Sequence, residues 1–229
     1  MNENIEELKN EYTRYGMTPC FSPEDLRATL SSLDITGKIV KDIKFTGSNL
    51  NYDNLNCHSI EKYNKMSEFN KKWIRSCYAE TDWPVLIKFE DGSVLTLYSG
   101  ADDKDNSVYY VGLNAIDWEK PYDECWDDYI ENIESTDFNA NVLFGRIIGM
   151  RIHGFEVNEK FSASDDSRIE NYRICFETPY TPIERIKLDF SDWIGYSYLE
   201  LLDYRNTTLE ISEMQIPDLF AGHEDWTDN

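Results

Sequence analysis

The spacing of hydrophobic positions changes period several times along the chain, and each change predicts an element. In residues 3–14, Ile5, Leu8 and Tyr12 recur at spacings of three and four, which predicts a polar opening helix. The segment Ser22-Pro23-Glu24-Asp25-Leu26 has the chemistry of a helix start: a serine that can cap, a proline suited to the first turn, and two acids at the positive end of the dipole. Leu26, Leu30 and Leu33 then predict a buried stripe ending near Leu33. From Gly37 to Phe45 the pattern becomes that of a strand, with Ile39, Ile43 and Phe45 expected on one face. The Asn-rich run at 47–56 reads as a polar loop, because asparagine tolerates left-handed backbone. Residues 67–78 predict a basic helix containing Phe69, Trp73 and Ile74. Val85–Glu90 and Ser93–Tyr98 flank Asp91-Gly92, which predicts a hairpin with a type I′ turn, and Val108–Leu113 predicts a further strand.

The second half echoes the first. Gly145-Arg-Ile-Ile resembles Gly37-Lys-Ile-Val at a strand start, and Ile174-Cys-Phe-Glu resembles Ile87-Lys-Phe-Glu. Lys187-Leu-Asp-Phe-Ser-Asp and Tyr198-Leu-Glu-Leu follow in the same order as Leu95-Thr-Leu-Tyr-Ser-Gly and Tyr110-Val-Gly-Leu. Gly37 to Phe89 is 52 residues while Gly145 to Phe176 is 31, so the first copy is expected to carry an insert near 51–80. The expected fold is α+β and rich in antiparallel sheet, with two similar strand–hairpin–strand lobes and flanking helices. The expected boundaries are a helical segment 1–36, a first lobe 37–116, a linking helix 117–137, a second lobe 138–216 and an acidic tail 217–229.

Composition then narrows the partners. The chain has 229 residues, with 44 Asp and Glu against 22 Lys and Arg, a formal charge of −22. A field of that sign repels polyanions, which disfavours direct nucleic-acid binding and anionic membrane surfaces. The charge is patterned: residues 38–75 hold eight bases and four acids, whereas Asp117–Asp137 holds nine acids and one lysine. Aromatic residues make up 14% of the chain, enough to support a packed core. The start lacks the basic and apolar regions of a signal peptide, and no apolar run approaches the roughly 18–20 residues needed to span a bilayer. Cys20, Cys57, Cys77, Cys125 and Cys175 are odd in number and form no CxxC pair, so buried free thiols in a reducing cytoplasm are expected.

Few motifs carry chemistry. His58, His153 and His223 share no ligand spacing, and adjacent Cys57 and His58 are poorly placed to chelate one zinc. The loop Asp103–Tyr109 alternates oxygen ligands but has Val108 where a calcium loop needs glycine and Asn114 where it needs glutamate. No GxSxG elbow, Walker A loop or GxGxxG is present, and no catalytic residue, metal or cofactor is assigned. The sharpest feature is Pro121–Ser135. Tyr122, Trp126, Tyr129, Ile130 and Ile133 fall on one helical face, with acids on the others. Such a stripe can pack on a sheet with its acids in water. Alternatively, Trp118, Asp123, Glu124, Trp126, Asp127, Asp128 and Glu131 form a docking surface for a basic protein, aromatics anchoring and carboxylates steering.

Three functions follow as expectations. In general character, small, acidic, sheet-rich and without a catalytic motif, the chain resembles bacterial toxin-immunity proteins. That resemblance is one of type and rests on no motif. It implies a cytoplasmic inhibitory protein of the immunity, antitoxin or nuclease-inhibitor kind, docking a basic nuclease or toxin. The alternatives are a scaffold domain, monomeric or homodimeric, and a carboxylate-dependent enzyme acting on a small substrate.

Overall fold

Ser22 caps the first helix, α1 (Pro23–Ser32), by accepting a hydrogen bond from the Asp25 amide, and Leu26 and Leu30 on its inner face are buried. The computed structural model describes residues 16–45, 47, 49–81, 83–101, 107–119, 140–161, 167–193 and 196–221. The opening helix expected at 3–14 and the aromatic helix expected at 121–135 lie outside them.

Ten strands form two five-stranded sheets in which every neighbouring pair is antiparallel. The first contains β1 (Thr18–Cys20), β2 (Val40–Lys44), β4 (Val85–Phe89), β5 (Val94–Ala101) and β6 (Ser107–Leu113), in the order β1-β6-β5-β4-β2. The second contains β3 (Tyr78–Thr81), β7 (Arg151–Phe161), β8 (Ser167–Glu177), β9 (Arg185–Trp193) and β10 (Tyr196–Asp203), in the order β3-β10-β9-β8-β7. The fold is therefore α+β with antiparallel sheets and flanking helices. Each sheet is a four-stranded meander in chain order, closed by an earlier strand that pairs with the meander's last.

The sheets are joined at one edge. Ile152 exchanges backbone bonds with the 37–38 segment, accepting from the Gly37 amide at 2.8 Å and donating to the Lys38 carbonyl at 2.9 Å. Val40 and Gly149 continue the seam, and Ile39 bridges Arg151. Arg27 of α1 donates to the Val157 carbonyl at 3.2 Å, so the outer edge of β7 is covered near its start and again at Val157. Exposed edges invite strand addition, and this covering removes the opportunity there.

One hydrophobic core runs between the sheets. Ile87, Phe89, Leu97 and Tyr109 of the first are buried in the same cluster as Tyr172, Ile174, Phe176, Leu188 and Phe190 of the second. Polar groups lock the two together. Ser99 and Ser197 hydroxyls meet at 2.6 Å, and the Tyr109 hydroxyl accepts the Asp192 amide at 3.1 Å. Met17, Leu86, Val94, Val108, Tyr110 and Ile116 form a second, smaller buried cluster.

Several local expectations change. The Asp91-Gly92 turn is not type I′: Gly92 has φ +87°, while Asp91 is not left-handed. Phe89 O accepts the Gly92 amide at 3.0 Å, and the Asp91 carboxylate accepts both the amide and the hydroxyl of Ser93. That side-chain turn favours the three-residue connection with glycine at the left-handed position. Asp91 also pairs with Lys38, which with Ser93 holds its carboxyl down to about 2.

The expected strand start at Gly145–Ile148 is instead a 3-10 turn, Gly145–Ile147, continuing α5 (Ala140–Phe144). Leu143, Phe144 and Ile147 are all buried, a helical spacing rather than an alternating one. In β2 a register shift between Val40 and Asp42 puts Val40, Ile43 and Phe45 inward, and leaves Ile39 half-buried.

The Asn-rich run is partly helical: α2 (Leu50–Leu55) begins after Asn49, whose side chain accepts the Asn51 amide at 2.9 Å. α3 (Ile60–Lys65) and α4 (Glu68–Arg75) complete the insert. The chain then enters β3, which pairs with β10 of the second sheet rather than staying with the first lobe. Near the end, α6 (Ile216–Leu219) and Phe220 are packed into the core, with Phe220 stacked on Tyr52 at 5.5 Å. Among the described residues no helix is long and apolar enough to cross a membrane.

Candidate functional site

Inward residues of the second sheet are mostly apolar, and strand alternation turns a different set outward. The register aligns Glu156, Arg173, Asp189, Glu200 and Tyr78 as one row across all five strands. A neighbouring row runs Asn158, Asn171, Ser191, Tyr198 and Glu80. Arg173 Nε donates to Asp189 Oδ1 at 2.6 Å, and its Nη1 stands 3.6 Å from Glu156. Lys187 reaches Glu156 at 3.0 Å, and Asn171 donates to the other Asp189 oxygen at 3.1 Å.

Desolvation raises the pKa of two carboxyls on this face, Asp189 and Glu200. Burial pushes Asp189 above the usual carboxylate range, with Arg173 and Asn171 pulling the other way. Burial likewise raises Glu200, opposed by a hydrogen bond from the Thr208 hydroxyl. The Tyr78 phenol is pushed up to about 12, first by burial and then by Tyr198, Glu200 and Glu80 around it.

The row ends at a cavity of about 270 Å³, lined by Leu50, Asn51 and Asn54 of α2, Trp73 and Ser76 at the end of α4, Tyr78, Glu200 and Thr208. Asn51 fixes one wall by donating to the Trp73 carbonyl at 2.8 Å. Trp73 is 49% exposed and Phe69, one turn earlier, is 68% exposed, with ring centroids 6.2 Å apart. Of the three apolar residues expected in this helix only Ile74 is buried, so the aromatic pair stands on the outer face. The cations of α4 are committed elsewhere: Lys71 to Glu68, Lys72 to Glu210, and Arg75 to Glu210, Glu213 and the Tyr63 hydroxyl.

Of the residues expected in a docking surface, Trp118 alone is described. It is half-buried beside the smaller cluster, under Lys44 at 4.5 Å and Lys88 at 5.1 Å, and its carbonyl accepts Lys44 at 2.9 Å. Its ring is thus already stacked against cations of its own chain. Asp123, Glu124, Trp126, Asp127, Asp128 and Glu131 lie outside the described residues, as does the Asp103–Asp105 stretch of the calcium-like loop. His153 in β7 faces Glu177 at 3.5 Å, beside Arg151 and Arg185 on the same carboxylate. Cys20, Cys57, Cys77 and Cys175 are free, and burial pushes their thiols up to about 11, 11, 12 and 11. Thiols so raised are poor nucleophiles. Among the described residues no three His, Cys, Asp or Glu side chains gather as a metal-binding group.

Trp73, Tyr78 and Glu200 are not singled out by the sequence, because Tyr78 and Glu200 meet only through the β3–β10 register. The available signal was the pairing of Phe69 with Trp73 at i and i+4 on a helix otherwise rich in lysine. Compared with protein-family models, curated proteins and solved structures, the chain matches none.

Proposed function

We propose that the chain is a cytoplasmic protein-binding and inhibitory protein, of the toxin-immunity, antitoxin or nuclease-inhibitor kind, that docks a basic partner. The observation supporting this is how the charge divides. Residues 38–75 carry eight bases and four acids, a net of +4, whereas Asp117–Asp137 carries nine acids and one lysine, a net of −8. Several carboxylates of the two sheets answer a local cation, among them Glu156, Glu177, Asp189 and Glu210. The acid is densest in 123–137, where seven acids accompany Trp126 and Tyr129. Concentrated carboxylates beside aromatics favour fast encounter with a cationic surface and then anchoring on it.

The enzyme alternative gains little from the outer face. Asp189 and Glu200 are directly opposite, but Asp189 is held by Arg173 and Asn171, and the cavity lining contains Glu200 alone. Paired-carboxylate hydrolysis needs both acids facing one substrate space.

The test is the triple variant Asp123→Asn, Asp127→Asn and Asp128→Asn, measured against the basic protein that co-purifies with the chain from its native cell. Folding should change by no more than about 0.5 kcal/mol per replaced charge. Association at low salt should slow about ten-fold. Unchanged association would remove this segment from the interface.

A further inference from the structure

We propose that the cavity between α2, α4 and the β3–β10 edge receives a guanidinium group, the side chain of an arginine on the basic partner. The inference rests on the partner reading above and adds a specific seat to it. At about 270 Å³ the cavity is smaller than the roughly 300–1,000 Å³ of sites for drug-sized ligands, a scale suited to one inserted side chain. Its lining holds a carboxylate, two aromatic rings, two carboxamides and two hydroxyl-bearing residues besides Tyr78, and no Lys, Arg or His.

Each component suits a planar cation. Trp73 and Tyr78 offer flat faces for stacking, and guanidinium stacks on aromatic rings while also pairing with carboxylate. Glu200 is fixed by the Thr208 hydroxyl at one oxygen, Oε1. The nearest cation along its row, Arg173, is already bonded to Asp189 at 2.6 Å. Lys72 and Arg75 of α4 are paired with Glu210 rather than Glu200. Burial opposes ionisation of Glu200, so an entering cation regains electrostatic energy that the free protein lacks. A neutral ligand of the same shape gains only the stacking.

The experiment uses the full chain and N-acetyl-arginine amide as the probe, with N-acetyl-citrulline amide as its uncharged isostere. The Trp73 indole N–H signal, assigned by its loss in Trp73→Phe, should shift saturably with the arginine probe. Affinity for citrulline should be about ten-fold weaker or less, and Glu200→Gln should weaken arginine binding by a similar factor. Gln keeps the shape and can still accept from Thr208. Trp73→Ala, a change at an exposed position, supplies a second variant, in which saturation transfer from protein to probe should fall. Equal binding of citrulline, or arginine affinity unchanged by Glu200→Gln, would overturn the inference.

Against the captured partner, Glu200→Gln should also cost about ten-fold in affinity. If the Asp123, Asp127 and Asp128 variant weakens the complex while Glu200→Gln does not, the cavity assignment fails and the partner reading stands. If the probe binds at Trp73 and Glu200 but no basic protein binds the chain, the guanidinium site stands and the partner reading fails.

Discussion

Phe190→Ala is expected to lower the unfolding free energy by about 3–5 kcal/mol, the cost of deleting a fully buried ring. Phe190 is at the middle of β9 with no exposed surface. Its centroid lies 5.2 Å from Tyr172 of the same sheet and 6.3 Å from Tyr109 of the other. Tyr109 and Tyr172 themselves meet edge to face at 5.4 Å. The three rings therefore tie the sheets together, and removing one leaves a hole that neighbours held in two strand ladders can only partly fill. Urea unfolding followed by circular dichroism measures the loss. Phe69→Ala, at the exposed end of α4, should change stability by less than about 0.5 kcal/mol in the same assay. A Phe190→Ala cost below about 1 kcal/mol would contradict the two-sheet core, since large-to-small changes there should be felt in full.

The second large effect is on the polar face. Arg173→Ala should cost about 2–3 kcal/mol at pH 7, because it leaves Asp189 with Asn171 as its remaining side-chain donor beside two other carboxylates. The Arg173 and Asp189 side chains are 18% and 12% exposed, so solvent replaces the lost bond only in part. The pH dependence has a definite sign. Burial already raises the Asp189 carboxyl above its unfolded value, so its ionisation opposes folding at pH above the folded pKa. Deleting the guanidinium raises that pKa further. The deficit of the variant should therefore be greatest at neutral pH and shrink as pH falls through the raised value. Asp189→Ala combined with Arg173→Ala should cost less than the sum of the two single changes. A deficit that grows on acidification would contradict this account of the row.

How much of this was legible beforehand depended on the range of the interaction. α1 is legible because Ser22, Pro23 and the Leu26–Leu30 spacing act within one or two turns. The β4–β5 hairpin is legible from its alternating strands, but its turn type is decided by the bonds the Asp91 carboxylate accepts from Ser93 and Lys38. Gly145–Ile148 resembles a strand start in composition, yet Leu143, Phe144 and Ile147 need one helical face to reach the core. β1 is three residues with a proline at its centre, and β3 is four residues following a helix, too short to show a period. Both are defined by the strands they join, β6 and β10.

The candidate site divides in the same way. The acid-rich segment with Trp126 is visible in sequence because its residues are neighbours in the chain. The cavity is not, because α2, the α4–β3 junction, β10 and Thr208 reach it from four separate stretches. Tyr78 and Glu200 are 122 positions apart and become adjacent only through one register of one strand pair. Trp118 shows the converse. An aromatic among acids suggests an anchor for a partner, but Lys44 and Lys88 project from neighbouring strands β2 and β4 and occupy its face.

The central claim is that carboxylates recruit a basic protein, and the most direct measurement is the association rate of the chain with its co-purified partner as a function of ionic strength. Between about 0.05 and 0.5 M salt the Debye length contracts to a few ångströms, and steering between exposed charges is screened. The account predicts one-to-one association that slows by about ten-fold or more over that range. An association rate independent of salt would contradict it.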